Sequence, residues 1–250
     1  WQEMGAKIRH QKIRHQTLKF MLKNYFKIAW RNLWKHKSFS AINISGLALG
    51  LTCSILIFLW VKDEYSVDAF HKNRDHIYVV ASREYMDGEV TGSYDTPGML
   101  GEELKRVMPE VEFACNYVWS QYYTLSTGEK KMKVEGNFAG KDFFKIFYFQ
   151  LLQGTTEAAL KSPESIAISK KMAINFFGSP NAAINKTLRF ENYKDLKVTA
   201  VFADLPPNSS EHFEYLINWD LNIEREPWVK DWHNSGPTTF VQLRKDADPA

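Results

Sequence analysis

The chain contains 250 residues, and its formal net charge of +3 conceals two segments of opposite charge. Before residue 41 there are ten lysines and arginines against one acidic residue, whereas the remaining sequence holds 22 basic and 28 acidic residues. Because the basic excess directly precedes a long uncharged segment, it indicates membrane topology. We therefore exclude nucleic acid as a partner, although the isoelectric point is high.

Residues 1–20 form a basic tail, and residues 21–38 predict an amphipathic helix. Apolar side chains recur at helical spacing in this helix, and lysines and arginines lie mostly on its other face. The apolar positions are Leu22, Phe26, Ala29 and Leu33, widened by Tyr25, Trp30 and Trp34. A basic, tryptophan-rich helix suits the headgroup plane of an anionic membrane, here on the cytoplasmic side. The alternative is an ordinary surface helix packed on protein.

Residues 39–61 predict a transmembrane helix, because Ala41 to Val61 contains no charged residue. At about 1.5 Å per residue this segment spans about 31 Å, close to the thickness of a bilayer core. It shows no polar face, which argues against a core helix, and it is longer than the apolar core of a signal peptide. The basic flank places the N-terminus in the cytoplasm and residues 62–250 outside.

Residues 62–250 predict a single folded domain of mixed elements. Strands are predicted at His76–Arg83, Val111–Trp119, Gln121–Ser126, Lys131–Gly136, Ser165–Ile168, Thr187–Phe190, Leu196–Ala203 and Thr239–Leu243. Helices are predicted at Gly98–Met108, at Lys141–Phe147 and from a Ser169 cap to Phe177, where Gly178 ends the last one. Because helices and strands intermix without strict βαβ alternation, the fold class is α+β.

The sequence contains no motif that indicates catalysis, a cofactor or a metal site. Residues 136–142 approach a phosphate-binding loop, but they are one residue short and carry Asp142 where a hydroxyl belongs. His71 and His76 lack a metal-ligand pattern and are expected on the surface. The acidic residues Asp63, Glu64 and Asp68 are expected in a solvated stem. Cys53 lies within the predicted span, and Cys115 is expected to be a buried small hydrophobic residue that does not pair with it.

Several segments in order resemble the N-terminal part of the permeases of MacB/FtsX-type ABC transporters. The opening YFKIAWRNLWKHKSFSAINISGLALGL, residues 25–51, is similar to the characteristic start of that family. Later segments that resemble it are residues 63–80, 140–154, 162–178, 185–190 and 198–215. The resemblance runs from about residue 21 to the end of the chain, so residues 1–20 lie outside it.

This resemblance implies a permease subunit in a bacterial inner membrane, with residues 62–250 as its periplasmic core domain. It also implies further transmembrane helices beyond Ala250. The implied partners are a cytoplasmic ABC ATPase, separate or fused, a second permease half in a homodimer or pseudo-dimer, the lipid bilayer and a periplasmic adaptor. ATP-driven motion would then pass to the periplasmic domain for export or extraction of a substrate, while the chain itself is no enzyme.

Two other interpretations remain open at this stage. A single-span sensor would use the outer domain to bind a ligand and would have one membrane span in its gene. A membrane-tethered enzyme of the cell envelope would need a pocket with a nucleophile or a metal cluster.

Overall fold

The computed structural model describes Met21 and residues 23–247, and the chain divides into two compact units, Trp1–Tyr65 and Ser66–Ala250. In the first unit, helix α1 covers residues 23–35. Helix α2 covers Lys37–Ser66, so its last residue belongs to the second unit. The predicted basic tail, residues 1–20, lies outside the described residues, as does Leu22 of the predicted amphipathic helix.

Helix α2 is, among the described residues, the one helix long and apolar enough to cross a membrane. Its large apolar side chains are exposed, as at Leu47 and Phe58. The hydroxyls of Thr52 and Ser54 donate to the carbonyls four residues earlier, at 2.8 and 2.9 Å. Inside a membrane, where water is absent, bonds of this kind satisfy hydroxyl groups. The apolar helix expected from the sequence is therefore confirmed.

The second unit mixes strands and helices along the chain, which confirms the α+β fold class. Its described strands are β1 Ile77–Val79, β2 Ser82–Met86, β3 Glu89–Ser93, β4 Val111–Tyr117, β5 Gln121–Thr127, β6 Lys130–Ala139, β7 Leu151–Gln153, β8 Ser165–Ser169, β9 Thr187–Phe190, β10 Lys194–Phe202, β11 Tyr215–Asn218 and β12 Thr238–Leu243. Its described α-helices are α3 Leu100–Val107, α4 Phe143–Ile146, α5 Thr156–Ala159, α6 Lys170–Phe177, α7 Pro180–Ala183 and α8 Trp219–Arg225. Short 3-10 helices cover Arg74–His76 and Pro227–Lys230.

The main sheet runs in the order β1-β12-β4-β6-β11-β8-β10-β9-β5, and β7 pairs with β10. Strand β5 pairs with both β9 and β6, so six strands from β6 to β5 close into a circuit. Within it β6 and β11 are parallel, as are β8 and β10, and the other pairs are antiparallel. Closure pairs both edges of each of these strands, which protects them from non-native pairing.

The two faces of this sheet contribute to separate hydrophobic cores. Along β8, Ile166 and Ile168 belong to one core and Ala167 to the other, because successive side chains of a strand point to opposite faces. The first core takes residues from all six strands of the circuit, packed with α6. The second core is rich in phenylalanine and lies against α4 and β4.

Most predicted elements are confirmed, including the cap of α6. The Ser169 hydroxyl accepts a hydrogen bond from the Met172 amide at 3.0 Å, and Gly178 ends the helix at φ 85°. The predicted strand at His76–Arg83 is wrong, because its residues divide between β1, which pairs with β12, and β2, which pairs with β3. Strand β11 has no counterpart among the predicted strands, since all four of its residues are buried and show no alternation.

Candidate functional site: the anchor segment after helix α2

Residues 66–71, which we call the anchor segment, begin where helix α2 ends. The loop between β10 and β11, residues 203–214, contacts this segment through Asn208. The Asn208 Nδ2 donates to the Ser66 carbonyl at 2.6 Å, and the Asp68 amide donates to the Asn208 carbonyl at 3.1 Å. The last carbonyls of a helix have no partner inside it. Asn208 therefore caps the end of α2 with a side chain from a distant part of the sequence.

Asp68 makes a second polar connection to the same loop. Its Oδ1 accepts a hydrogen bond from the Ser210 amide at 3.0 Å, and its Oδ2 accepts one from the Ser210 hydroxyl. Its backbone is left-handed, with φ 54°, a conformation that aspartate tolerates better than most residues. Bonds to a carboxylate are stronger than bonds between neutral groups. Asp68 therefore makes structural contacts within the partly exposed stem that follows α2.

The loop is shaped for these contacts by its own sequence. Pro206 and Pro207 restrict the backbone, and the Ser209 amide donates to the Pro206 carbonyl at 3.0 Å to form a turn. This turn presents Asn208 and Ser210 toward the anchor segment. This loop joins β10 to β11, two strands of the closed sheet circuit that have β8 between them. The anchor segment is therefore connected to that circuit.

An aromatic cluster of Phe70, His71, Phe147 and Phe149 holds the other end of the anchor segment. The His71 ring lies 4.2 Å from Phe70, 5.2 Å from Phe149 and 5.4 Å from Phe147, measured between ring centroids. The Tyr148 amide donates to His71 Nδ1 at 3.0 Å, so this nitrogen is an acceptor and the ring is neutral. Burial lowers the pKa of His71, opposed by the charge of Asp68.

The expectation of a surface position for His71 is therefore wrong, since only 9% of the residue is exposed. His76, the other predicted surface histidine, is half-buried in the short 3-10 helix before β1. Two features decide the burial of His71: the adjacent Phe70 and the FYF stretch at 147–149, which is far away in the sequence. No pattern local to residue 71 indicates that contact.

The aromatic cluster continues into the second core. Phe70 lies 5.7 Å from Phe149, which lies 5.4 Å from Phe213, and Phe213 lies 5.5 Å from Phe202, between ring centroids. Phe202 is the last residue of β10, and Phe213 stands just before β11. Close-packed interiors transmit displacement because they have little free volume. The anchor segment is thus joined to the same two strands through side chains as well as through the loop.

The segment that resembles a phosphate-binding loop has a packing role. Gly136 lies in β6 beside the Tyr215 ring, and a Cβ at this position would come within 2.6 Å of that ring. The Asp142 side chain is 1% exposed and forms ion pairs with Lys105 and Lys145. Burial raises the pKa of Asp142, but the two lysines outweigh it and leave that pKa below its usual range. Each carboxylate oxygen of Asp142 is thus paired with one lysine.

The other residues considered in the sequence, two acidic residues and two cysteines, form no cluster that indicates catalysis. Asp63 and Glu64 are exposed residues of α2. Cys115 is 1% exposed, as predicted, and burial raises the pKa of its thiol. Both Cys53 and Cys115 are free. Within the described part of the chain, no group of three or more histidine, cysteine, aspartate or glutamate side chains could hold a metal ion.

Comparison with known proteins points to one family. The family described as MacB-like periplasmic core domain matches residues 40–250. Among solved structures, a domain described as a permease protein from Porphyromonas gingivalis is 21% identical, with a TM-score of 0.58 over 72% of this chain and 80% of that one. It has the same fold. No curated protein matches the sequence.

Two further structures are similar at lower scores. The periplasmic region of MacB from Actinobacillus actinomycetemcomitans is 15% identical, with a TM-score of 0.46 over 60% of this chain and 65% of that chain. The extracellular domain of the noncanonic ABC-type transporter YknZ from Gram-positive bacteria is 16% identical, with a TM-score of 0.44 over 68% and 83%.

Proposed function

The chain belongs to the family of MacB-like periplasmic core domains, and we propose that it transmits ATP-driven motion from a cytoplasmic ATPase to that domain. Membership makes the domain part of an ABC-transporter permease, a class that works with ATPase partners and is generally not enzymatic. In this proposal the motion exports or extracts a substrate. The proposal concerns how force reaches the domain.

The membrane arrangement is part of the proposal. The N-terminus lies in the cytoplasm, helix α1 rests on the inner face of the bacterial inner membrane, α2 crosses it, and residues 62–250 are periplasmic. The support is the basic excess before residue 41. Two permease halves pair as a homodimer or pseudo-dimer, further spans follow Ala250, and a periplasmic adaptor is a further partner.

The observation that supports transmission is the doubly held anchor segment. Its polar end is bound by Asn208 and Ser210, and its aromatic end packs on Phe147 and Phe149. A displacement applied at Ser66, where α2 ends, would therefore move the β10–β11 loop and the second core with it, because the anchor segment is held at both ends. A flexible linker of six residues would show few such contacts.

The test measures the motion of the periplasmic domain in the assembled permease with its ATPase. A spin label at Glu129→Cys, in the exposed turn between β5 and β6, reports the distance between the two halves of the dimer. Cys53 is replaced by serine, because it is exposed, whereas Cys115 is buried. We expect the distance distribution to differ between the nucleotide-free complex and one locked with ATP.

The variant Asn208→Ala tests whether the anchor segment carries this motion. It removes the cap on Ser66, so the shift in distance should shrink while ATP hydrolysis continues. Asn234→Ala is the matched control, because the Asn234 side chain also donates to a backbone carbonyl, at 3.2 Å, but in the loop before β12. An unmoved domain in the ATP-locked complex would contradict the proposed function. Equal shifts in both variants would contradict the role of the anchor.

A further inference from the structure

A groove of about 630 Å³ opens beside the β10–β11 loop, which contributes Ser210, Glu211 and His212 to its lining. Its walls are aromatic: Tyr94 follows β3, Tyr117 ends β4, Trp119 lies between β4 and β5, and Phe240 belongs to β12. This volume lies within the range of sites that bind small molecules. The lining of the groove thus comes from six separate stretches of the chain.

Two of the aromatic side chains are unusually open to solvent. Trp119 is 71% exposed and Tyr94 is 65% exposed, although both are large rings on the surface of a folded domain. Tyr117, by contrast, is 5% exposed and forms the floor. Exposed rings grouped around a concavity characterise binding sites more than they do ordinary surface.

The carboxylates of Glu135 and Glu211 line the groove, and no lysine or arginine is among its described lining residues. His212 adds an exposed imidazole. The Tyr117 hydroxyl donates to Glu211 Oε2 at 2.6 Å, and burial, with the nearby Glu211 charge, raises the pKa of Tyr117 so that it stays a donor. Glu211 Oε1 has no hydrogen-bond partner among the described residues and is available to a ligand.

We propose that this groove binds an organic cation with an apolar body. Its aromatic rings would cover the apolar part and attract the positive charge through their faces, and the carboxylate of Glu211 would pair with that charge. The choice of a cation follows from the two carboxylates and the lack of a lining lysine or arginine. The proposal does not depend on force transmission, since it concerns binding by the resting domain.

Tetraphenylphosphonium is the probe, measured by equilibrium dialysis against the full chain in phosphatidylcholine nanodiscs, with empty nanodiscs subtracted. We expect saturable binding that weakens about tenfold in Glu211→Gln and in Trp119→Ala, in line with the loss of one charge partner or one ring. Tetraphenylborate has nearly the same shape and the opposite charge, so it should bind at least about tenfold more weakly.

Matched variants separate this site from general effects. Glu226→Gln and Trp232→Ala remove a carboxylate and an exposed ring that do not line the groove, and they should bind the probe as the unmodified chain does. Trp119→Tyr should retain most of the affinity, which distinguishes loss of the ring from a folding defect. Equal binding of the two probe ions, or equal affinity of Trp119→Ala and Trp232→Ala, would overturn the proposal.

Discussion

Asp68 makes two separable contributions to the anchor segment, and three replacements distinguish them. Its carboxylate accepts two hydrogen bonds from Ser210, and its backbone has φ 54°. Asp68→Asn keeps an acceptor and the tolerance for positive φ but removes the charge. Asp68→Gly removes both acceptors and accepts the backbone conformation, and Asp68→Ala removes the acceptors and is strained.

The expected magnitudes follow from this geometry. Each hydrogen bond to the half-buried carboxylate contributes about 1 kcal/mol. Relative to aspartate, glycine relieves the strain of the left-handed backbone, but its greater freedom in the unfolded chain roughly cancels that gain. Alanine is strained in this conformation and costs about 1 kcal/mol more than glycine. We therefore expect the free energy of unfolding to fall by about 1 kcal/mol in Asp68→Asn, about 2 kcal/mol in Asp68→Gly and about 3 kcal/mol in Asp68→Ala.

Urea unfolding of the full chain in nanodiscs, followed by tryptophan fluorescence, measures these differences. Asp87 provides the matched series, because it has φ 52° but its carboxylate makes no hydrogen bond among the described residues. Asp87→Ala should cost about 1 kcal/mol and Asp87→Asn almost nothing. If Asp68→Gly were as stable as the unmodified chain, the Ser210 bonds would contribute nothing and the reasoning about the polar end of the anchor would be refuted.

Three further outcomes are expected for single residues. The chain should lose stability as the pH falls below about 6.5, because the buried His71 ring is held neutral. The variant His71→Asn keeps an acceptor for the Tyr148 amide and should lose less stability. Urea midpoints at pH 5 and pH 7.5 measure the difference. Phe149→Ala should lower the free energy of unfolding by about 3–5 kcal/mol in urea titration, because this buried ring packs on several others. A smaller loss would show that the neighbouring rings move in to fill the cavity. Gly136→Ala should cost about 1–3 kcal/mol by the same assay, since its Cβ would meet the Tyr215 ring, and an unchanged midpoint would contradict that packing.

The direction of the pH effect follows from the state that binds the proton. Burial holds the pKa of His71 below its ordinary value of 6.5, so near and below that pH the unfolded chain binds more protons than the folded one. The contribution of the neutral ring is complete above the unfolded pKa and is lost as the pH falls toward the folded pKa. A pH profile of His71→Asn that matches the unmodified chain would contradict the assignment.

Local sequence determined the elements whose causes are local. An uncharged run of about 20 residues sets the α2 helix, because its length and polarity are properties of one segment. A serine at the start of α6 and Gly178 at its end define that helix for the same reason. Strand β9 and most of β10 are likewise predictable from alternation and turn residues.

Only the tertiary structure decided the anchor segment and the groove. Asp68 and Ser210 are 142 residues apart, and His71 meets Tyr148 from 77 residues away. Contacts of this kind depend on which strands the closed sheet brings together, and no single segment contains that information. Strand β11, buried on both faces, illustrates the same limit, because burial without alternation leaves no periodic signal to find.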